Sequence, residues 1–357
     1  MKKIISYSLA LGIFSSAILT PYTTASAASL SKAESLVNAA EKHAGVLKWQ
    51  ISYENTHAIK TPDMKVFNNT KSAYLQAQKE ISTLKSSDKQ KLEKRLAENV
   101  GIHYERTMGY IDALTSGNKI SALTQKFEQQ YAEDPIGDAT EKSYHELTAE
   151  IRKQAKLLYK VYGKSTRDAF LSTYKAPAET VLSDAKYTIS AKGDLRKLDK
   201  LVSQKANQSL VEKQVDQLFT SFDMIIEDEI YYTLYDEYSL IIRKDASFIQ
   251  QEKELNQFFA KTNELINSEN VDGVFNQYSS EYPNYENLKE EIKNVFNEVD
   301  LKFEFVHSHV YSIIYGYAYV EVTDTITEGT ESDTVTTVYL LKKENNEWKY
   351  IDIFESY

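Results

Sequence analysis

Two histidines two positions apart, His307 and His309, are the strongest candidates for chemistry in this sequence. They stand in Phe303 to Tyr311, where residue types alternate with the period of a β-strand. Residues two apart on a strand face one side. His307 and His309 are therefore expected to share a face with Phe303, Phe305 and Tyr311, provided no bulge intervenes. Two imidazoles so placed could supply two metal ligands, or a general base in a cavity. Neither set is complete. No third ligand stands at a recognisable spacing, and a carboxylate to orient either ring would have to come from another element. The structural alternative is a histidine pair within an aromatic sheet face. His43, His57, His103 and His145 are isolated on expected helices and read as structural.

Other catalytic signatures are missing. The sequence has no G-x-S-x-G, H-E-x-x-H, P-loop or G-x-G-x-x-G pattern. It has no cysteine, which excludes disulfides, thiolate metal sites and a cysteine nucleophile. Asp223, Glu227, Asp228 and Glu229 form an acidic cluster without calcium-loop spacing. No catalytic residue, metal or cofactor is assigned.

A second constellation is electrostatic. Arg152, Lys156 and Lys160 recur four apart, Lys153 lies beside them, and Lys164 and Arg167 follow across a turn. Residues four apart project from one side of a helix. The stripe suits a polyanion, and the alternative is a solvated face with ordinary ion pairs. Tyrosine is the compositional oddity, 26 in 357 residues. Exposed tyrosine can stack on a sugar ring; buried tyrosine filling a core is the commoner use.

The elements that must hold these residues are of two kinds. From Leu30 to Gln208 apolar residues recur at spacings of three and four, as in Leu147, Ile151, Ala155, Leu158 and Val161. Breakers separate the runs at Thr61-Pro62-Asp63, Ser86-Ser87-Asp88, Ser116-Gly117-Asn118, Asp134-Pro135-Ile136-Gly137 and Lys192-Gly193-Asp194. The pattern predicts about six or seven helices in an elongated antiparallel bundle. Near Val161 to Asp168, Gly163 suits the residue past a helix end, and Ser165 with Asp168 reads as a capping-box-like start. Residues 209–251 read as an acidic, tyrosine-rich helical connector. From residue 252 helices give way to strands at Phe303, Tyr317–Thr327, Thr334–Lys343 and Glu347–Phe354, with a tight turn at Asn345-Asn346. Helices followed by antiparallel strands make an α+β layout.

The charge is divided along the chain. The net charge is −10, yet residues 29–208 hold 29 Lys and Arg against 22 Asp and Glu, and residues 209–357 hold 11 against 30. Such a step argues for two parts with different partners, one attracted to polyanions. The N-terminus reads as a signal peptide over residues 1–27. Lys2 and Lys3 precede an uncharged apolar run from Ile4 to Leu19, then Pro21, with Ala25-Ser26-Ala27 as the cleavage site. The run is shorter than the roughly 20 residues that cross a bilayer. The expectation is a secreted protein without membrane insertion after cleavage. With no LPxTG sequence and no lipid-bearing cysteine, retention at the cell surface or cell wall would be non-covalent. Nucleic acid is not an expected partner, since the chain is exported and shows no reading motif.

The residues Val161-Tyr162-Gly163, Ser165-Thr166-Arg167-Asp168, Ser172-Thr173, Lys175, Ala178-Glu179 and, upstream, Tyr110-Ile111-Asp112-Ala113 carry a resemblance. Over residues 90–205 the chain resembles the N-terminal cell-wall-binding region of the SbsC family of S-layer proteins. The resemblance implies that 28–208 is a rod of triple-stranded helical bundles. It implies a partner too: an anionic secondary cell-wall polysaccharide, a polymer linked to peptidoglycan. Arg152, Lys153, Lys156, Lys160, Lys164 and Arg167 are then the candidate contacts. The chain departs from the family in lacking the long series of β-domains that build a lattice.

Residues 252–357 resemble the NTF2-like superfamily, through Phe258-Phe259, Ile266, Val271-Asp272, Tyr278, Gly316-Tyr317-Ala318 and Tyr339-Leu340-Leu341-Lys342 with Glu347-Trp348-Lys349-Tyr350-Ile351-Asp352. This implies a cystatin-like curved antiparallel sheet around a cavity, with His307, His309 and Tyr311 as candidate lining. Such folds host enzymes and binding modules alike. The expected architecture is thus an all-α elongated bundle followed by an α+β NTF2-like domain. The expected function is that of a non-enzymatic, wall-associated surface protein. The alternatives are a secreted ligand-binding protein or enzyme that uses the cavity, and a self-associating structural protein.

Overall fold

The computed structural model describes residues 25–356. Of the expected signal peptide, residues 1–24 lie outside the described part, and Ala25–Ala27 open the first helix. The helical series comprises α1 (Ala25–Gln50), α2 (Tyr53–Thr56), α3 (Met64–Ile81), α4 (Ser86–Leu96), α5 (Ile102–Glu133), α6 (Asp138–Tyr159), α7 (Lys164–Phe170) and α8 (Ala176–Ser203). A π-turn at Ala97–Gly101 joins α4 to α5, and another at Leu171–Lys175 joins α7 to α8. There follow α9 (Gln208–Phe222), α10 (Asp228–Ile242), α11 (Ala246–Asn267), α12 (Val271–Phe275) and α13 (Tyr285–Glu298). Four strands close the chain: β1 (Leu301–Ile314), β2 (Tyr317–Glu328), β3 (Glu331–Glu344) and β4 (Glu347–Ser356). An all-α region followed by an α+β region is the expected fold class. Among the described residues no helix is long and apolar enough to cross a membrane.

The chain divides into two compact units. The first holds the described residues up to Gln125 together with Glu146–Glu179; the second holds Lys126–His145 and the residues from Thr180 on. In the first unit, Val37, Ala40 and Ala44 of α1 share a buried cluster with Ala77 and Ile81 of α3 and Leu92 and Leu96 of α4. The alanines let helix backbones approach closely, and each large apolar side chain so buried contributes about 1.5–3 kcal/mol. Asp63 begins α3 as the Thr61-Pro62-Asp63 break suggests: its Oδ1 accepts from the N–H of Lys65 at 2.8 Å and of Val66 at 3.3 Å.

Three expectations for the helical part are corrected. Ser116-Gly117-Asn118 does not break a helix; α5 runs through it. The glycine is there for proximity, since a Cβ at Gly117 would meet the Tyr174 ring at 2.4 Å. Lys192-Gly193-Asp194 likewise lies inside α8, where buried Leu195 and Leu198 fix the helix. Tertiary packing overrides the helix penalty of glycine in both cases. Finally, Ser165 does not cap α7. Gly163 occupies the cap position at φ +85°, a conformation side chains avoid. The Ser165 hydroxyl instead donates to Glu54 Oε1 at 2.8 Å, and Asp168 accepts from Lys164 at 2.8 Å.

In the second unit the strands form one antiparallel sheet in the order β1-β2-β3-β4. Asn345 and Asn346 both take positive φ, so the β3–β4 turn is the tight one their types suggest. Val310 and Ile313 of β1, Ala318, Val320 and Val322 of β2, Leu341 of β3, and Trp348 and Tyr350 of β4 share a core with Leu255, Phe258 and Phe259 of α11. Helices α9 and α10 enter the same core through Val215, Leu218 and Leu234. At the β4 edge, Ser279 N–H donates to Tyr350 C=O and Tyr350 N–H to Gln277 C=O, each at 2.9 Å. That short pairing covers part of an edge that would otherwise expose backbone groups.

Candidate functional site

The basic stripe forms largely as the spacing implies. Arg152, Lys153 and Lys156 are exposed on α6, Lys160 is exposed just beyond it, and Lys164 and Arg167 lie on α7. Their surroundings differ. Lys153 lies 3.7 Å from Glu150, Lys164 bonds Asp168, and Arg167 Nη1 donates to the Val161 carbonyl at 3.4 Å. Among the described residues Arg152, Lys156 and Lys160 have no carboxylate within ion-pair distance. They are the part of the stripe left open to an external anion.

Beside the stripe, the Val161–Asp168 motif builds a cavity. Thr166 Oγ1 accepts from Tyr53 N–H at 3.1 Å, and Ser165 holds Glu54, so both hydroxyls tie α7 to α2. The cavity, about 210 Å3, is lined by Lys48, Trp49, His103, Arg106, Tyr162 and Ser165 among others. The Arg106 guanidinium carbon sits 3.2 Å from the Tyr162 ring centroid, and Lys48 Nζ lies 5.3 Å from the Trp49 ring. Both are cation–π contacts. The His103 pKa is held below its ordinary value by burial, then by Lys48 and Arg106. By its isolated position in the sequence His103 reads as structural, and no motif singles out Trp49 or Arg106. Only the conspicuous Tyr162-Gly163-x-Ser165-Thr166 run pointed toward this place.

His307 and His309 share a face as their spacing implies, but a bulge intervenes and separates them from the face of Phe303 and Phe305. The β1–β2 register steps from Phe305↔Asp324 to His307↔Thr323, leaving Val306 as an extra residue, and steps again between Val310 and Ser312. Each bulge reverses the alternation. Phe305 therefore stacks with Phe259 of α11, whereas His309 Nε2 meets the Tyr235 hydroxyl of α10 at 3.1 Å. His307 is exposed on the same outward side. Tyr311 packs edge-on against His309 at 4.7 Å between ring centroids and donates to Glu321 Oε2 at 2.9 Å. Burial first, then Arg243, lowers the His309 pKa. Histidine and tyrosines thus form a packed aromatic group. Among the described residues no three His, Asp or Glu side chains are placed to hold a metal ion.

A cavity of about 300 Å3 lies elsewhere in the sheet-bearing unit, lined by Ile266, Val274, Leu288, Ile292, Val295 and Phe303 among others. It sits against α13 and the start of β1, away from the residues singled out for it. The tyrosines divide between two uses. Tyr238 and Tyr350 are buried, Tyr278 and Tyr339 are half-buried against the same core, and burial pushes the Tyr339 hydroxyl up to about 12. Tyr162, Tyr232, Tyr315 and Tyr317 are exposed.

Comparison with known proteins finds a match in each region. Residues 48–179 match the family model of the SbsC C-terminal domain. Residues 246–355 match that of the anti-sigma-I factor RsgI9, C-terminal domain. An S-layer protein of Geobacillus stearothermophilus is 31% identical over 113 residues, covering 32% of this chain and 9% of that protein. The solved structure of surface layer protein SbsC, domains 1–6, aligns at 16% identity over 90% of this chain and 41% of that one, with a TM-score of 0.42. The N-terminal part of the bacterial S-layer protein SbsC aligns at 16% identity over 90% and 71%, also with a TM-score of 0.42. The helical region is similar to SbsC over residues 48–179, and the Val161–Asp168 motif lies inside that matched segment.

Proposed function

We propose, from the relationship of the helical region to an S-layer protein, that this is a non-enzymatic, wall-associated surface protein. Its first unit binds an anionic secondary cell-wall polymer, and its sheet-bearing unit carries a separate ligand or partner site. The observation that carries this reading is the partition of charge between the units. The first holds 21 Lys and Arg against 14 Asp and Glu over residues 29–125 and 146–179, within a chain of net charge −10. A polyanion is attracted to such a surface and repelled by the remainder. Arg152 and Lys156 on α6, with Lys160 just beyond its end, offer it three unpaired cations. Co-sedimentation of the full chain with purified cell-wall sacculi tests the reading. The chain should pellet with intact sacculi and stay in the supernatant when the anionic polymer has been stripped from them. Equal pelleting with both would remove the polymer as the partner.

The cavity against α13 favours a second role for the other unit, the binding of a small apolar ligand. Its size is at the lower end of the ~300–1,000 Å3 typical of ligand pockets, and Leu288, Ile292, Val295 and Phe303 give it an apolar wall.

A further inference from the structure

The cavity beside the Val161–Asp168 motif combines features that a merely solvated basic face does not have. Trp49 is 56% exposed and Tyr162 is 59% exposed, although both rings are large apolar surfaces that normally leave water. Among the described residues neither Lys48 nor Arg106 has a carboxylate within ion-pair distance, and both cations lie against aromatic rings. The His103 pKa is lowered first by burial and then by the two cations, Lys48 and Arg106. The pocket is also a built one. Gly163 turns the chain with positive φ, and Ser165 and Thr166 fasten the neighbouring α2 segment. The residues of the motif thus make a rim and leave Tyr162 on display.

We propose that this pocket holds one acidic sugar of the wall polymer, a ring carrying a carboxylate or a phosphate. The assignment rests on the wall-binding reading above and moves the point of recognition from the α6 stripe to the pocket. A sugar presents an apolar C–H face and a polar edge. Trp49 and Tyr162 offer flat surfaces for the face, and a guanidinium offers a planar fork of donors for the anion. Lys48 adds a second cation, and Glu54, fixed by Ser165, is an acceptor for ring hydroxyls. A volume of about 210 Å3 is smaller than a drug-sized site, so it admits a single ring with the polymer continuing outside. The α6 stripe then supplies attraction at longer range without choosing a sugar.

Two measurements on the full chain decide the matter. The first is sacculus co-sedimentation of the wild type, Trp49→Ala, Arg106→Gln and a triple Arg152→Gln, Lys156→Gln, Lys160→Gln variant. The pocket variants should bind at least about tenfold more weakly, which corresponds to about 1.4 kcal/mol, and the triple variant should lose less. Pocket variants that pellet like a pelleting wild type would overturn the pocket and leave wall binding standing. A wild type that remains in the supernatant would overturn wall binding and this ligand assignment with it.

The second measurement is tryptophan fluorescence. The chain has two tryptophans, and Trp348 is buried, so quenching by a small solute reports Trp49. Glucuronate or glucose 6-phosphate at millimolar concentration should change the emission, and glucose should not. Whichever anionic sugar acts identifies the carboxylate or phosphate arm. The change should vanish in Arg106→Gln and partly return in Arg106→Lys. An equal response to glucose, no response to either acid, or a response that survives Arg106→Gln would overturn the proposal.

Discussion

Asp324 shows how a single buried group can oppose the fold that contains it. It lies on β2, only 9% exposed, and faces α11, where its Oδ1 accepts from Asn263 Nδ2 at 2.8 Å. Burial raises its pKa above the ordinary carboxylate value, and the Asn263 bond offsets only part of that rise. A carboxyl that holds its proton more tightly folded than unfolded gives a stability contribution present below the unfolded pKa. That contribution is lost as pH rises through the folded pKa. Asp324→Asn keeps an acceptor for Asn263 and removes the buried charge. It should raise the thermal midpoint at pH 7, with the gain shrinking as pH falls toward 4. An equal gain at both pH values, or a loss at pH 7, would show that desolvation is not the governing effect. Strand alternation puts Asp324 on the face of Ala318, Val320 and Val322, all buried, so its inward position is legible. Its partner is not legible, because Asn263 reaches it from α11, 61 positions away.

At the scale of elements, legibility followed how local the cause was. The break at Thr61-Pro62-Asp63 and the Asn345-Asn346 turn depend on a few neighbouring residues, and the sequence shows both. Gly117 depends on Tyr174, fifty-odd positions away, so its apparent break was misleading. The candidate pocket divides the same way. Its rim is a contiguous motif, whereas Trp49 and Arg106 reach it from α1 and α5. The bulge gives an element-scale prediction. Val306 is the extra residue, is half exposed, and has no partner in the β1–β2 register. Deleting it leaves Phe305 opposite Asp324 and His307 opposite Thr323, with alternation intact. The variant should therefore keep a cooperative unfolding transition with a midpoint close to the parent's. Deleting Ser308 removes a residue that faces Asn256 and forces His309 or Tyr311 toward the core. That variant should lose several kcal/mol, on the order of burying unsatisfied polar groups. Chemical denaturation of the two deletions compares them directly. Equal tolerance would mean that the Val306 bulge does not set the facing of the strand.

For the whole molecule, the sign of the salt dependence separates two electrostatic pictures. The chain carries −10 overall, and the second unit holds 19 Lys and Arg against 38 Asp and Glu over residues 126–145 and 180–357. This asymmetry is legible in composition. The grouping of Lys126–His145 with residues from Thr180 on is not, because packing between remote segments creates it and no composition shift marks it. If the protein met a polyanion as a body of net negative charge, low salt would favour repulsion, and added salt would strengthen binding by screening it. If the first unit makes the contact, its excess of seven positive charges acts at close range, and salt must weaken binding. The Debye length falls from about 10 Å at 0.1 M to about 3 Å at 1 M, so the attraction should collapse over that interval. Binding of the full chain to sacculi is therefore expected to fall steadily with added sodium chloride. The Arg152→Gln, Lys156→Gln, Lys160→Gln variant should show a flatter fall, since fewer counterions are exchanged on contact. Arg106→Gln should weaken binding at every salt concentration, because it removes a short-range bond and a stacking partner together with one charge. Binding that rises with salt would place the polymer on some other surface, and an unchanged slope in the triple variant would remove the α6 row from the contact.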